Sequence, residues 1–230
     1  MTYEHEKQAL DEVRETQVDI AQKNKSAKKT LLMSIIMGII GPTTVGLGLL
    51  VGQSSTQFAD FVRRSIEFLA IVISYVVYSI TTKENNTDEI KKQKYEKATD
   101  IFVSIAMILS GIIMTVLALY SGNEENGNII PGLVVAFLGL LINCTFWMKY
   151  RKLGKESNNK ILIVQRNLYR AKTFVDCSIV LVLVVVLLSD NSTISYYFDL
   201  IGTACVSAYL IFTGSKSIIN EINNTKEKLK

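Results

Sequence analysis

Polar and hydrophobic residues fall into long blocks along this chain. Apolar runs at roughly 30–51, 57–81, 99–121, 129–148, 161–188 and 196–215 are separated by short polar or charged loops. About 20 consecutive apolar residues cross the roughly 30 Å hydrocarbon core of a bilayer as a helix. The pattern therefore predicts an all-α integral membrane protein, a bundle of six transmembrane helices. Six such helices use about half of the 230 residues, which leaves no room for a second sizeable soluble domain. The expected division is a charged N-terminal segment over 1–29, a membrane domain over 30–218 and a short tail over 219–230.

Residues 3–29 are rich in Glu, Lys and Gln, and Leu10, Val13, Val18 and Ile20 form only a broken apolar stripe. The segment reads as a charged helix suited to lying along the membrane surface. Its polarity up to the first span argues against a cleavable signal peptide. In the first span Gly38, Gly41, Gly46 and Gly48 permit close helix approach, and Pro42 predicts a kink.

Charge placement sets the orientation. Lys23, Lys25, Lys28 and Lys29 precede the first span, and Lys83, Lys91, Lys92, Lys94 and Lys97 lie between the second and third. The loop 149–155 and the tail from Lys216 are basic again, while the three alternate turns hold neither Lys nor Arg. By the positive-inside rule both termini are cytoplasmic, in a plasma membrane of bacterial type. The lysines of the loops suit anionic lipid better than nucleic-acid readout.

Composition adds exclusions. Cys144, Cys177 and Cys205 fall in apolar runs without metal or disulfide spacing and read as small buried hydrophobes, and His5 as a solvated tail residue. The sequence holds no nucleophile–base pair, phosphate-binding glycine loop or metal-ligand cluster, so neither an enzyme nor a cofactor is expected.

The candidate chemistry lies inside the membrane. Asp60, Arg63, Arg64 and Glu67 open the second span, and Lys172 and Asp176 stand in the fifth. Each such charge near the bilayer centre costs roughly 2.5–3.5 kcal/mol on insertion scales, so each needs a partner or a purpose. Spans two and five run antiparallel, and each presents its pair at i,i+4 on one face. If the faces meet, Arg63 pairs with Asp176 at an outer level and Glu67 with Lys172 at an inner one. Such a group either binds substrate and protons or merely locks two helices in register. Arg64 is expected to snorkel outward, with Asp60 neutralising an arginine or lining an external mouth. Arg166 and Arg170 are expected to snorkel to the cytoplasmic side, Asp100 to cap the third span, and Asn143 to make a helix–helix hydrogen bond.

With these residues in view, the chain resembles the cation diffusion facilitator family over most of 30–218, in its six-helix membrane domain alone. Phe58-Ala-Asp-Phe-Val-Arg-Arg-Ser-Ile-Glu67 resembles the second-helix pattern of Ala-Asp followed by two ligands four residues apart. Arg170-Ala-Lys-Thr-Phe-Val-Asp176 resembles the fifth-helix pattern of His followed four residues later by Asp. Tyr95-Glu-Lys-Ala, Gly111, Pro131-Gly132, Gly139 through Asn143 and Asp199 occupy places of similar family features. The resemblance implies a homodimeric ion transporter with a tetrahedral zinc site at the four paired positions. Here those positions hold Arg63, Glu67, Lys172 and Asp176. Arginine never ligates a metal and lysine must first lose its proton, so zinc is not carried over. The family's cytoplasmic domain and His-rich loop have no counterpart in the sequence.

Three readings follow. The first is a proton-coupled secondary transporter in which Glu67 and Asp176 bind a small cation or protons, with Arg63 and Lys172 as internal counter-charges. The second is a transport-inactive relative, locked by these salt bridges, that supports or regulates another membrane protein. The third is an anion site built on Arg63, Arg64 and Lys172.

Overall fold

A computed structural model describes residues 2–51, 55–82, 89–120, 129–157, 159–188 and 192–227. The described residues are all helical apart from short turns: α1 (Thr2–Gly38), α2 (Ile40–Val51), α3 (Ser55–Thr81), α4 (Glu89–Tyr120), α5 (Ile129–Ser157), α6 (Lys160–Leu188) and α7 (Ser192–Glu227). The first apolar run is shared by α1 and α2, which meet at Ile39. Pro42 is the cause. It has no N–H to give the Gly38 carbonyl and its ring crowds that oxygen, while Ile39 N–H to Ile35 O (3.0 Å) and Thr43 N–H to Ile39 O (3.2 Å) carry the chain across.

Several expected loops prove to be helix. α4 begins at Glu89, α5 continues through the basic stretch 149–155, and α7 absorbs most of the tail. Lys, Glu and Gln are good helix formers, so a span continues into water wherever they follow it. The sharp stop comes at Asn159, whose Oδ1 accepts the Ile161 N–H at 3.0 Å and caps α6. α1 runs through residues 29 and 30 without a break, so the charged segment is a continuous extension of the first span. The segment is helical as expected, and its Leu10, Val13, Val18 and Ile20 are more than half exposed. His5 is exposed on the same helix, as expected. The turn residues 52–54, 121–128 and 189–191, and the loop residues 83–88, lie outside the described residues.

By length and composition, three described stretches suffice to cross a membrane: Leu10–Leu47, Phe61–Thr81 and Glu89–Leu117. The bundle keeps an apolar core, and its outer surface is apolar too. Leu69, Val76, Ile112, Phe137, Leu141 and Leu181 are among many large apolar side chains facing outward, while Ser34, Ser74, Thr99, Ser110 and Gln165 are buried. The cysteines also differ from expectation, Cys177 and Cys205 being exposed and Cys144 half-buried. In lipid the outer surface needs no polar cover, so a small apolar residue gains nothing by facing in.

α5 packs most extensively on α6, and α4 on α7, while α3 touches α6 sparsely. The tightest approach is between α4 and α7. A Cβ on Gly111 would lie 2.9 Å from the Ser207 carbonyl oxygen, and one on Gly214 would lie 2.7 Å from that of Ser104. In the first span a Cβ on Gly46 would lie 3.1 Å from the Phe61 ring and one on Gly38 3.4 Å from that of Phe68, so both permit close approach of α3 as expected, against side chains and not backbone. The surroundings of Gly48 lie outside the described residues. The largest fully buried side chains, Tyr78, Tyr150, Tyr169, Leu31, Ile71 and Ile161, gather toward the basic end of the bundle.

Candidate functional site

α3 carries Arg63 and Glu67 on its buried face one turn apart, exposed by only 6% and 5%. The Arg63 guanidinium donates from Nη1 to Glu67 Oε1 at 3.3 Å. From α6, Lys172 Nζ stands 3.3 Å from Glu67 Oε2. A single carboxylate is thus held between two cations, one on its own helix and one across the bundle. The sparse α3–α6 backbone contact explains why a lysine fills this place, since its four-carbon stem bridges helices that do not touch closely. The ammonium also lies over the Tyr169 ring, 5.6 Å from its centroid, where the ring's negative face favours it.

Asp176 lies one helical turn beyond Lys172 and is half-buried. Its Oδ2 accepts a hydrogen bond of 2.6 Å from Asn143 Nδ2 on α5. Gly139, one turn before Asn143, makes the seat: a Cβ there would stand 3.3 Å from the same oxygen. The expected inner pair, Glu67 with Lys172, is present. The expected outer pair is arranged differently: among the described ion pairs Arg63 binds Glu67 along its own helix, and Asp176 takes the Asn143 amide. An i,i+4 partner is reached without ordering a second helix, and the amide gives Asp176 a neutral donor.

The accessory residues separate. Arg64 turns toward the first span instead of outward, its Nη1 lying 3.5 Å from where a Gly41 Cβ would be. Arg63 and Arg64 have further interactions besides these. The side chain of Asp60 lies outside the described residues. Asp100 is no cap, because α4 starts eleven residues earlier; its Oδ1 accepts from Ser217 of α7 at 2.8 Å and from Ser104 at 3.4 Å. Arg166 stays half-buried and donates to the Asn167 side chain, while Arg170 lies over the Tyr209 ring at 5.8 Å.

On the basic side of the charges the bundle is closed by groups that the charge pattern did not reveal. Gln165 Nε2 donates to Ser74 Oγ at 2.6 Å, joining α6 to α3. Tyr150 of α5 shares a 2.8 Å hydrogen bond with Ser34 of α1, and its ring stacks on Tyr169 at 5.3 Å. Tyr78 donates to Asn24 Oδ1 at 3.1 Å. Tyr150 escaped notice because it falls in the stretch 149–155 that reads as a basic loop; its i,i+4 spacing from Phe146 is the available signal. Tyr150→Phe should cost about 1 kcal/mol through the lost hydrogen bond, the Ser34 hydroxyl keeping its 2.7 Å bond to the Leu31 carbonyl, read as a lower unfolding midpoint in detergent.

Chemically, the centre offers a carboxylate whose two oxygens are each met by a cation, and a second carboxylate one turn away on α6. Among the described residues no group of three or more His, Cys, Asp or Glu could hold a metal ion. A tetrahedral zinc cage does not fit these residues, because two of the four positions carry cations.

A family model, the cation efflux transmembrane domain, matches residues 31–223. The chain belongs to the cation efflux family. The match starts where the charged extension of α1 gives way to the apolar run and takes in Arg63, Glu67, Asn143, Lys172 and Asp176. This is a family of integral membrane transporters, which places the chain in a bilayer with an ion as the class of substrate. Among curated proteins taken one by one, no match is found.

Proposed function

We propose that this cation efflux protein is a secondary, proton-coupled transporter with a non-zinc site formed by Glu67 and Asp176, Arg63 and Lys172 acting as built-in counter-charges. The observation that carries the reading is Glu67, 5% exposed and met by Lys172 and Arg63 at 3.3 Å each. A buried carboxylate needs a compensating cation. A small cation or a proton reaching Glu67 takes over that role and releases Lys172, which then has Asp176 one turn along its own helix. Occupancy thereby changes the strength of the link between α3 and α6, whose backbones touch only sparsely. The polar bonds of Gln165 and Tyr150 keep the path to the basic end shut while Lys172 is engaged.

All six apolar runs cross the bilayer in this reading, with both termini in the cytoplasm. The lysine bias supports that orientation, and the family resemblance supports pairing of two copies.

The test is flux in proteoliposomes under pH gradients and a panel of monovalent and divalent cations. Wild type should dissipate at least one gradient, while Glu67→Gln and Asp176→Asn should lose that flux by tenfold or more. The occupied oxygens of Glu67 favour a second reading, a salt-bridge lock in a transport-inactive relative. That reading prevails if no gradient responds and the variants lose stability alone.

A further inference from the structure

Where the charged extension of α1 meets the end of α5, the two helices enclose an open groove of about 650 Å³. Its walls carry Lys23 and Lys29 from α1 and Lys149 and Lys152 from α5. Among the described residues the carboxylates on these walls are Asp19 and Glu156, and Asp19 is already paired with Lys23 one turn along. Among the described residues Lys29, Lys149 and Lys152 form no ion pair with a carboxylate, and each is exposed. The groove is therefore a concave surface with uncompensated positive charge. None of its residues belongs to the charged centre at Glu67.

We propose that this groove binds the phosphate headgroup of an anionic phospholipid. Position favours a lipid over a soluble anion. The groove straddles the point where α1 changes from charged to apolar, and Thr30, Met33 and Leu153 form its inner edge. Met33 is 40% exposed, and Met37, one turn deeper into the apolar run, is 36% exposed. A headgroup held by the lysines would lay its acyl chains along this methionine edge, whose flexible thioethers accommodate irregular chains. Lys149 Nζ lies over the Phe146 ring, 5.9 Å from the centroid. Basic pockets between helices at a membrane surface are where anionic headgroups bind, and each lysine near that surface contributes to attraction.

The site is tested with the full chain in detergent, measuring binding of phosphatidylglycerol and phosphatidylcholine by native mass spectrometry. Wild type should retain phosphatidylglycerol selectively. The double variant Lys149→Gln/Lys152→Gln should weaken that binding roughly thirtyfold, while Lys149→Arg/Lys152→Arg should preserve it. The control Lys91→Gln/Lys94→Gln removes the same charge from α4, outside the groove, and should leave it unchanged. All these positions are exposed, and matching unfolding midpoints will confirm intact folds. Equal loss in the control would overturn the proposal in favour of diffuse surface attraction. Displacement of the lipid by millimolar inorganic phosphate, or phosphate binding of equal strength, would overturn it in favour of a free-anion site.

Discussion

Glu67→Leu should destabilise the protein by about 3–5 kcal/mol, more than any other single change at the charged centre. It leaves Arg63 and Lys172 facing each other in the bundle with the carboxylate between them gone, at the place where both now approach Glu67 to 3.3 Å. Lys172→Met should cost less, because Arg63 still compensates Glu67, and Arg63→Met less for the converse reason. The triple variant Arg63→Met/Glu67→Leu/Lys172→Met should recover most of the loss, since a well-packed apolar replacement of a buried ion group is often neutral or stabilising. Chemical unfolding in detergent gives the four values. A cost below about 1 kcal/mol for Glu67→Leu, or a triple variant no better than the single, would show that the three charges do not act as one buried unit. The same triple variant bears on function: a stable protein without flux separates the transport role of these charges from their structural one.

Gly214→Val should lower stability by about 3 kcal/mol or more, and Gly214→Ala by about 1–3 kcal/mol, through overpacking of the α4–α7 contact. A Cβ there would stand 2.7 Å from the Ser104 carbonyl oxygen and 2.8 Å from Ile108 Cγ1. The oxygen is backbone, so no rotamer change relieves the clash and the helices must separate. Between helices in lipid no hydrophobic force compensates for lost contact, because the tails are as apolar as the side chains. Separation also pulls Ser217 from Asp100, now 2.8 Å apart, and leaves the carboxylate with the longer 3.4 Å bond from Ser104. Gly202→Ala is the control: its Cβ would meet Val182 Cγ2 at an ordinary 3.5 Å, and the variant should stay within about 0.5 kcal/mol of wild type. Equal midpoints for Gly202→Ala and Gly214→Ala would refute a tight α4–α7 seam.

Much of this protein was legible as soon as its apolar blocks were marked. A bilayer demands long uninterrupted helices, so block length alone predicted an all-helical membrane protein, and Pro42 marked the break at Ile39 because a missing N–H acts locally. The juxtaposition of Glu67 with Lys172 was also readable, since i,i+4 spacing on two antiparallel helices leaves few ways to match opposite charges. Helix ends were not. Glu89 and Ser157 extend their helices past the apolar runs because hydropathy reports where lipid stops, while propensity decides where a helix stops.

What only the tertiary structure decided is the choice among partners. Arg63 had Glu67 and Asp176 within its plausible reach, and Asp176 had Arg63 and Lys172. The outcome depended on the seat that Gly139 leaves beside Asp176 and on the Asn143 amide 2.6 Å away on a third helix. Likewise Gln165, Tyr150 and Ser34 are unremarkable polar residues until α1, α3, α5 and α6 converge on them. Periodicity assigns a residue to a face of its own helix. Which neighbouring helix comes to that face, and how closely, is determined by packing between segments far apart in the chain.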